Sequence, residues 1–126
     1  MPIMDVVMAE TINKNFSSPE ETRNIEKGKV EVLDLGGTQV MKARFEPGWK
    51  WSECVKPIAG GNSCQVSHLM YTLAGKMTVK MDDGTEINIG PGDATFIPPG
   101  HDAWIVGDEA FEAVDFQGAA NYAKPA

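Results

Sequence analysis

Residues 71–100 read YTLAGKMTVKMDDGTEINIGPGDATFIPPG. Met77, Val79 and Met81 alternate with lysine and threonine. Asp83-Gly84 follows as a two-residue turn signal, and Ile87 and Ile89 return on one side. A period of two is the mark of a half-buried strand. An Asp-Gly pair between two such runs predicts a hairpin with positive φ at both central positions. GPGD (90–93) makes the next turn, ATFIP the next strand, and Pro98-Pro99-Gly100 a rigid corner.

The same grammar extends in both directions. Downstream lie DAWIV (102–106) and AFEAVDF (110–116). Upstream lie KVEVLDL (29–35), TQVMKARF (38–45), KWSECVK (50–56) and HLMYTLAG (68–75). Glycine- and proline-rich turns separate them, and PIAGGNSCQVS (57–67) reads as a loop. About nine short alternating strands predict an all-β domain, a sandwich or small barrel of jelly-roll type. Residues 1–28 read as an N-terminal arm. Within it, FSSPEETRNIEKG offers Ser17 or Ser18 as N-cap, Pro19 in the first turn, and Glu20 and Glu21 at the positive end of a helix dipole. A short helix or turn ending near Gly28 is expected there. The barrel is expected to span 29–117, with a C-terminal tail over 118–126.

A chain of 126 residues fits one domain with a real core. The net charge of −7 and scattered basic residues argue against nucleic-acid partners and anionic membrane surfaces. No apolar run nears the roughly 18 residues of a spanning helix. The first residues lack a basic, then apolar, leader pattern, so a cytoplasmic location is expected. Cys54 and Cys64 are then expected as thiols, although a disulfide between them is not excluded by sequence.

The stretch from Met70 to Pro99 resembles the second half of a cupin in order, spacing and turn residues, and the resemblance covers about residues 29–117. It implies a double-stranded β-helix, a jelly-roll barrel of two packed antiparallel sheets. It also implies one divalent metal held inside by histidines and a glutamate, and a homodimer. HDAW (101–104) after the proline corner, with a histidine before the tyrosine strand, is similar to a group of small cupins without a well-defined activity.

The family's ligand pattern departs here position by position. His68 stands seven residues before Gly75, where the family has glutamate. Asn62-Ser63-Cys64 occupies the place of its paired histidines, and Ala103 that of its last histidine. His101 lies two residues before Ala103, on the same strand face. In an alternative register KWSECVKP carries the first motif, residues 57–67 are an insertion, and Cys54 takes a ligand position. The candidate metal ligands are therefore His68, His101, Cys64 and Cys54, a set that suits a soft or borderline ion. Glu53 or Gln65 would be a further donor. Zinc, iron, manganese and nickel are the ions considered, and no nucleotide cofactor is expected, since GGNS lacks the lysine and helix of a phosphate loop. Each residue also has a bland reading: histidines that hydrogen-bond each other, cysteines that act as small buried hydrophobes.

Trp51, Glu53, Met70, Phe96 and Trp104 are the candidate small-molecule contacts. Trp104 also reads as a packing residue, since it should face away from His101. Asp102 reads as an outward turn residue. The first functional expectation is a small-molecule-binding module, sensor or accessory, with or without a metal. The rival is a metal-dependent dioxygenase, isomerase or decarboxylase acting on a small organic acid or phenol. A third reading is an oligomerisation barrel filled by Met70, Met77 and Met81.

Overall fold

The computed structural model describes residues 10–124. It contains nine strands: β1 Glu21–Ile25, β2 Gly28–Asp34, β3 Gln39–Phe45, β4 His68–Ala74, β5 Lys76–Met81, β6 Glu86–Ile89, β7 Ala94–Ile97, β8 His101–Val106 and β9 Phe111–Asp115. A six-stranded sheet runs β1-β2-β3-β9-β4-β7, and a three-stranded sheet runs β6-β5-β8. Every pairing is antiparallel. The all-β jelly-roll expected from the alternation is the observed architecture.

The alternation works because side chains on one strand point to opposite faces. Met41, Ala43 and Phe45 of β3 are buried, as are His68, Met70 and Thr72 of β4 and Phe111, Ala113 and Asp115 of β9. On the small sheet, Met77 and Val79 of β5 pair with Ile105 and Ala103 of β8. These rows form one core between the sheets. Phe45 stacks on Trp49, with ring centroids 3.9 Å apart and planes 7° from parallel.

Three local expectations are corrected. The segment read as a helix before Gly28 is the strand β1. Its register against β2 puts Arg23 opposite Val30, and Lys27 takes φ 58° in the turn. Ladder pairing to an existing sheet outweighs a weak capping signal. The sheet thus begins at Glu21, inside the span read as an arm. KWSECVK is not a strand but two helical turns, α1 Trp51–Cys54 and α2 Lys56–Ala59. Trp51, Cys54 and Val55 stand three and four residues apart, and all three are buried. That spacing places them on one helical face. The third correction is the β5–β6 hairpin. It uses three loop residues, Asp82-Asp83-Gly84, with Gly84 N–H donating to the Met81 carbonyl. Gly84 takes φ 94°, while Asp83 is not in the left-handed region. This is the three-residue loop with a glycine bulge, and not the two-residue mirror turn.

The described part of the C-terminal tail is folded onto the barrel. Gly118–Ala120 forms a 3-10 turn, and Ala119, Tyr122 and Ala123 are buried. The segment folds back over the interior. It is held there by buried Arg23, whose Nη1 donates to the Tyr122 carbonyl at 2.8 Å. The loop between β3 and β4 closes another side. Cys64 N–H donates to the His101 carbonyl, and Gly100 N–H to the Cys64 carbonyl, both at 2.7 Å.

Candidate metal centre

β4 opens on His68, β8 opens on His101, and the bridge just described pins Cys64 beside β8. The three side chains meet inside the barrel, and one donor atom from each lies within 4.8 Å of the others. All three residues are buried. Cys64 Sγ is 3.8 Å from His68 Nε2, and the two imidazoles lie edge to face with centroids 5.3 Å apart.

The outer hydrogen bonds decide which nitrogen faces inward. His68 Nδ1 lies 2.5 Å from Asp115 Oδ2, and His101 Nδ1 lies 2.9 Å from the Pro98 carbonyl. A carboxylate and a carbonyl only accept, so each Nδ1 carries the proton. In the neutral imidazoles both Nε2 atoms then have lone pairs for a ligand or ion. Metal-binding histidines are ordinarily oriented this way, by a carboxylate or carbonyl behind the ring. Asp115 is itself fixed, because its Oδ1 accepts from the backbone N–H groups of Leu69, Gln117 and Gly118. Gly118 belongs to the same construction. A Cβ there would stand 2.6 Å from Asp115 Oδ2 and 2.9 Å from His68 Nδ1.

Burial alone would push the Cys64 thiol up, but the His101 and His68 imidazoles beside it bring it down to about 6. For His68 burial disfavours the imidazolium, yet Asp115 and Cys64 raise it to about 9. Burial also opposes ionisation of Asp115, and His68 with the backbone donors holds its carboxyl below the usual range. Without a metal, these shifts favour the thiolate, imidazolium and carboxylate forms. A divalent cation would replace the proton between sulfur and nitrogen.

The internal cavity beside these groups measures about 40 Å³. Met41, Phe45, Trp49, Trp51, Met70 and Phe111 form its apolar wall, and His68, His101, Asp115 and Tyr122 its polar end. Trp51 and Tyr122 also line a surface cleft of about 340 Å³, whose wall includes Cys64. The Tyr122 ring stands edge-on to His68 at 5.3 Å. It packs against one of the three clustered donors.

Of the residues singled out in the sequence, the structure brings Cys64, His68 and His101 together and sets Trp51 and Met70 in the cavity wall. It leaves four elsewhere. Cys54 is buried but is not among the clustered donors. Glu53 is exposed, because helical α1 turns it away from Trp51 and Cys54. Phe96 is 58% exposed, on the outer face of β7. Trp104 faces outward from β8, with Lys50 Nζ 5.4 Å from its ring centroid. Asp102 faces outward too, and its carboxylate accepts from Ser52 N–H at the start of α1. Asp115, Gly118 and Tyr122 were not singled out. The signal for Asp115 was present: FEAVD alternates with Phe111 and Ala113 inward, so the acid shares the core-facing parity.

No family model matches the sequence, and no curated protein matches it. Solved structures do. The chain is similar to a protein of unknown function from Rhizobium leguminosarum, with 16% identity and TM-score 0.60 over 86% of this chain and 99% of that one. It is similar to the polyketide cyclase RemF from Streptomyces resistomycificus, with 16% identity and TM-score 0.59 over 84% and 78%. It is also similar to the oxalate decarboxylase of Lactobacillus farciminis in its formate complex, with 19% identity and TM-score 0.57 over 81% of this chain. The match spans about a third of the decarboxylase, 32% of its length. At such identities the likeness is one of fold. Two antiparallel sheets closed around an inward-facing donor cluster give this chain the jelly-roll barrel fold that these structures share.

Proposed function

We propose that this barrel binds a small molecule at a divalent metal held by Cys64, His68 and His101. The observation that carries the reading is the convergence of three buried donors whose free atoms lie within 4.8 Å of one another. Each histidine is already oriented from behind by an acceptor. Thiolate with two imidazoles suits zinc, iron or nickel better than manganese, which prefers oxygen donors. Three protein donors leave a four-coordinate ion one further position, as in sites that bind ligands, whereas structural zinc sites supply four. When bound, the metal would supply Lewis acidity toward that ligand. The chain's own residues hold the ion, orient the rings through Asp115 and the Pro98 carbonyl, and pack Tyr122 against His68.

The enzymatic reading rests on the same open position, and one of the similar folds belongs to a decarboxylase and another to a cyclase. Oxygen uptake and product analysis with small acids and phenols separate enzyme from binder. Elemental analysis of the protein purified without added metal tests the site itself. The expected result is one zinc, iron or nickel per chain, lost in His68→Ala and His101→Ala and kept in Cys54→Ser. Absence of metal after refolding with each ion overturns the reading.

We also propose a homodimer in a cytoplasmic setting. The support for pairing is a row of exposed apolar side chains on the outer face of the large sheet: Leu69, Tyr71 and Leu73 of β4, with Phe96 of β7 beside Leu69.

A further inference from the structure

We infer that the molecule completing this metal site is neutral and compact, with about two or three non-hydrogen atoms, and is not a carboxylate. The inference rests on the metal reading above and deepens it. Two observations on the same groups carry it.

The first is a charge count. A coordinating Cys64 is a thiolate, with one negative charge. His68 and His101, each protonated at Nδ1 and coordinating through Nε2, are neutral. Asp115 accepts four hydrogen bonds, one from His68 and three from backbone N–H groups, and so donates none. It adds a second negative charge. Thiolate and carboxylate together balance one divalent ion. An anionic ligand would then leave a net negative charge buried in an apolar barrel, which is costly without a cationic partner. Among the described residues, no lysine or arginine lines the cavity. Lys124 lines the neighbouring surface cleft instead, and buried Arg23 is taken by Glu21 in a two-point pair, Nε to Oε2 at 2.8 Å and Nη2 to Oε1 at 3.0 Å. Burial raises the Tyr122 hydroxyl well above its ordinary value, so that side chain stays neutral.

The second observation is size. The cavity beside His68 and His101 measures about 40 Å³, room for about three waters at the ~10–15 Å³ that each needs by the same measure. Packed aromatic rings form its wall, with Phe45 stacked on Trp49 at 3.9 Å. Water, dioxygen, a peroxide or a one-carbon carbonyl compound meets both limits. A benzoate or a dicarboxylic acid meets neither.

The test uses the cobalt(II)-loaded full chain at pH 7, whose thiolate-to-metal absorption reports coordination. Azide is the compact anion and imidazole the neutral but bulkier probe. Azide is expected to bind wild-type protein at least about tenfold more weakly than it binds Asp115→Asn. That variant keeps an acceptor for His68 and removes one negative charge. Cys64→His, which removes the other charge and keeps a donor, is expected to show the same gain and covers the case in which Asp115→Asn misfolds. Imidazole is expected to leave the wild-type spectrum unchanged. Equal azide affinity in wild type and both variants, or tight imidazole binding in wild type, overturns the inference while the metal site stands. Failure of cobalt, zinc, iron and nickel to bind at all overturns both.

Discussion

In the metal-free centre, against the effect of burial, His101 and His68 lower the Cys64 thiol, while Asp115 and Cys64 raise His68, and this has a consequence for stability. The folded thiol titrates at about 6 against an ordinary value of 9.0, so alone it makes the fold more stable as pH rises between those values. The folded imidazole titrates at about 9 against 6.5, so alone its stabilisation is complete below 6.5 and is lost as pH rises through 9. The two slopes run in opposite directions over the same window and cancel. Melting of metal-free wild-type protein is therefore expected to show little pH dependence between 6.5 and 9. Cys64→Ser removes one slope and leaves Asp115 to raise His68. Its stability is expected to fall with pH across that window, by at most about 1.4 kcal/mol per pH unit. Calorimetry of both proteins at four pH values checks this, and parallel curves would refute the opposed shifts. The residues involved were unevenly legible. His68 and Cys64 stand out because the family motifs give each a place, and His101 because it lies two residues before the motif position that Ala103 fills. Asp115 lies outside those motifs, 47 residues from His68, and only the inward parity of β9 marks it.

At the scale of elements, the barrel strands were legible wherever polar and apolar residues alternated, as in KMTVKM and QVMKARF. Two elements were not, and both bound the centre. WSEC carries its buried residues at helical spacing within four residues, too short for period alone to show. The tail from Gly118 to Lys124 has no periodicity, and its burial depends on a bond from Arg23, 99 residues away. That bond is a latch, because it ties the carbonyl of Tyr122 while the Tyr122 ring packs against His68. Hydrogen bonds from charged donors contribute about 1.5–3 kcal/mol. Arg23→Met is therefore expected to lift the tail more often and expose Cys64 to the neighbouring cleft. In a Cys54→Ser background, Cys64 should react with a thiol reagent at least about tenfold faster in Arg23→Met than with Arg23 intact. Such local opening is a property of the segment, so global melting should change far less than the reaction rate. Unchanged reactivity would show that Tyr122 is held by packing alone.

For the whole molecule, the open question is where two copies would meet. The chain carries a net charge of −7, so two copies repel each other except where they present neutral surface. The outer face of β4 supplies one. Leu69, Tyr71 and Leu73 are 42%, 45% and 47% exposed, Phe96 sits opposite Leu69 in the ladder, and Phe116 is half exposed where its N–H meets the Leu69 carbonyl. Residues directly opposite on antiparallel strands share a face. These side chains therefore form one patch, on the opposite side of the sheet from His68 and Met70. A contiguous apolar patch on a soluble monomer calls for a partner, and a two-fold pairing lets one surface cover its own copy. Leu69→Lys with Phe96→Lys places four like charges at that interface. The double variant is expected to run as a monomer in light scattering where the wild type runs as a dimer. Its metal content should be unchanged, because β4 points those two positions away from the barrel interior. A wild-type mass of one chain across a hundredfold range of concentration would remove this face as a dimer interface. A variant that dissociated and lost its metal together would mean that the two faces of β4 are coupled through the strand.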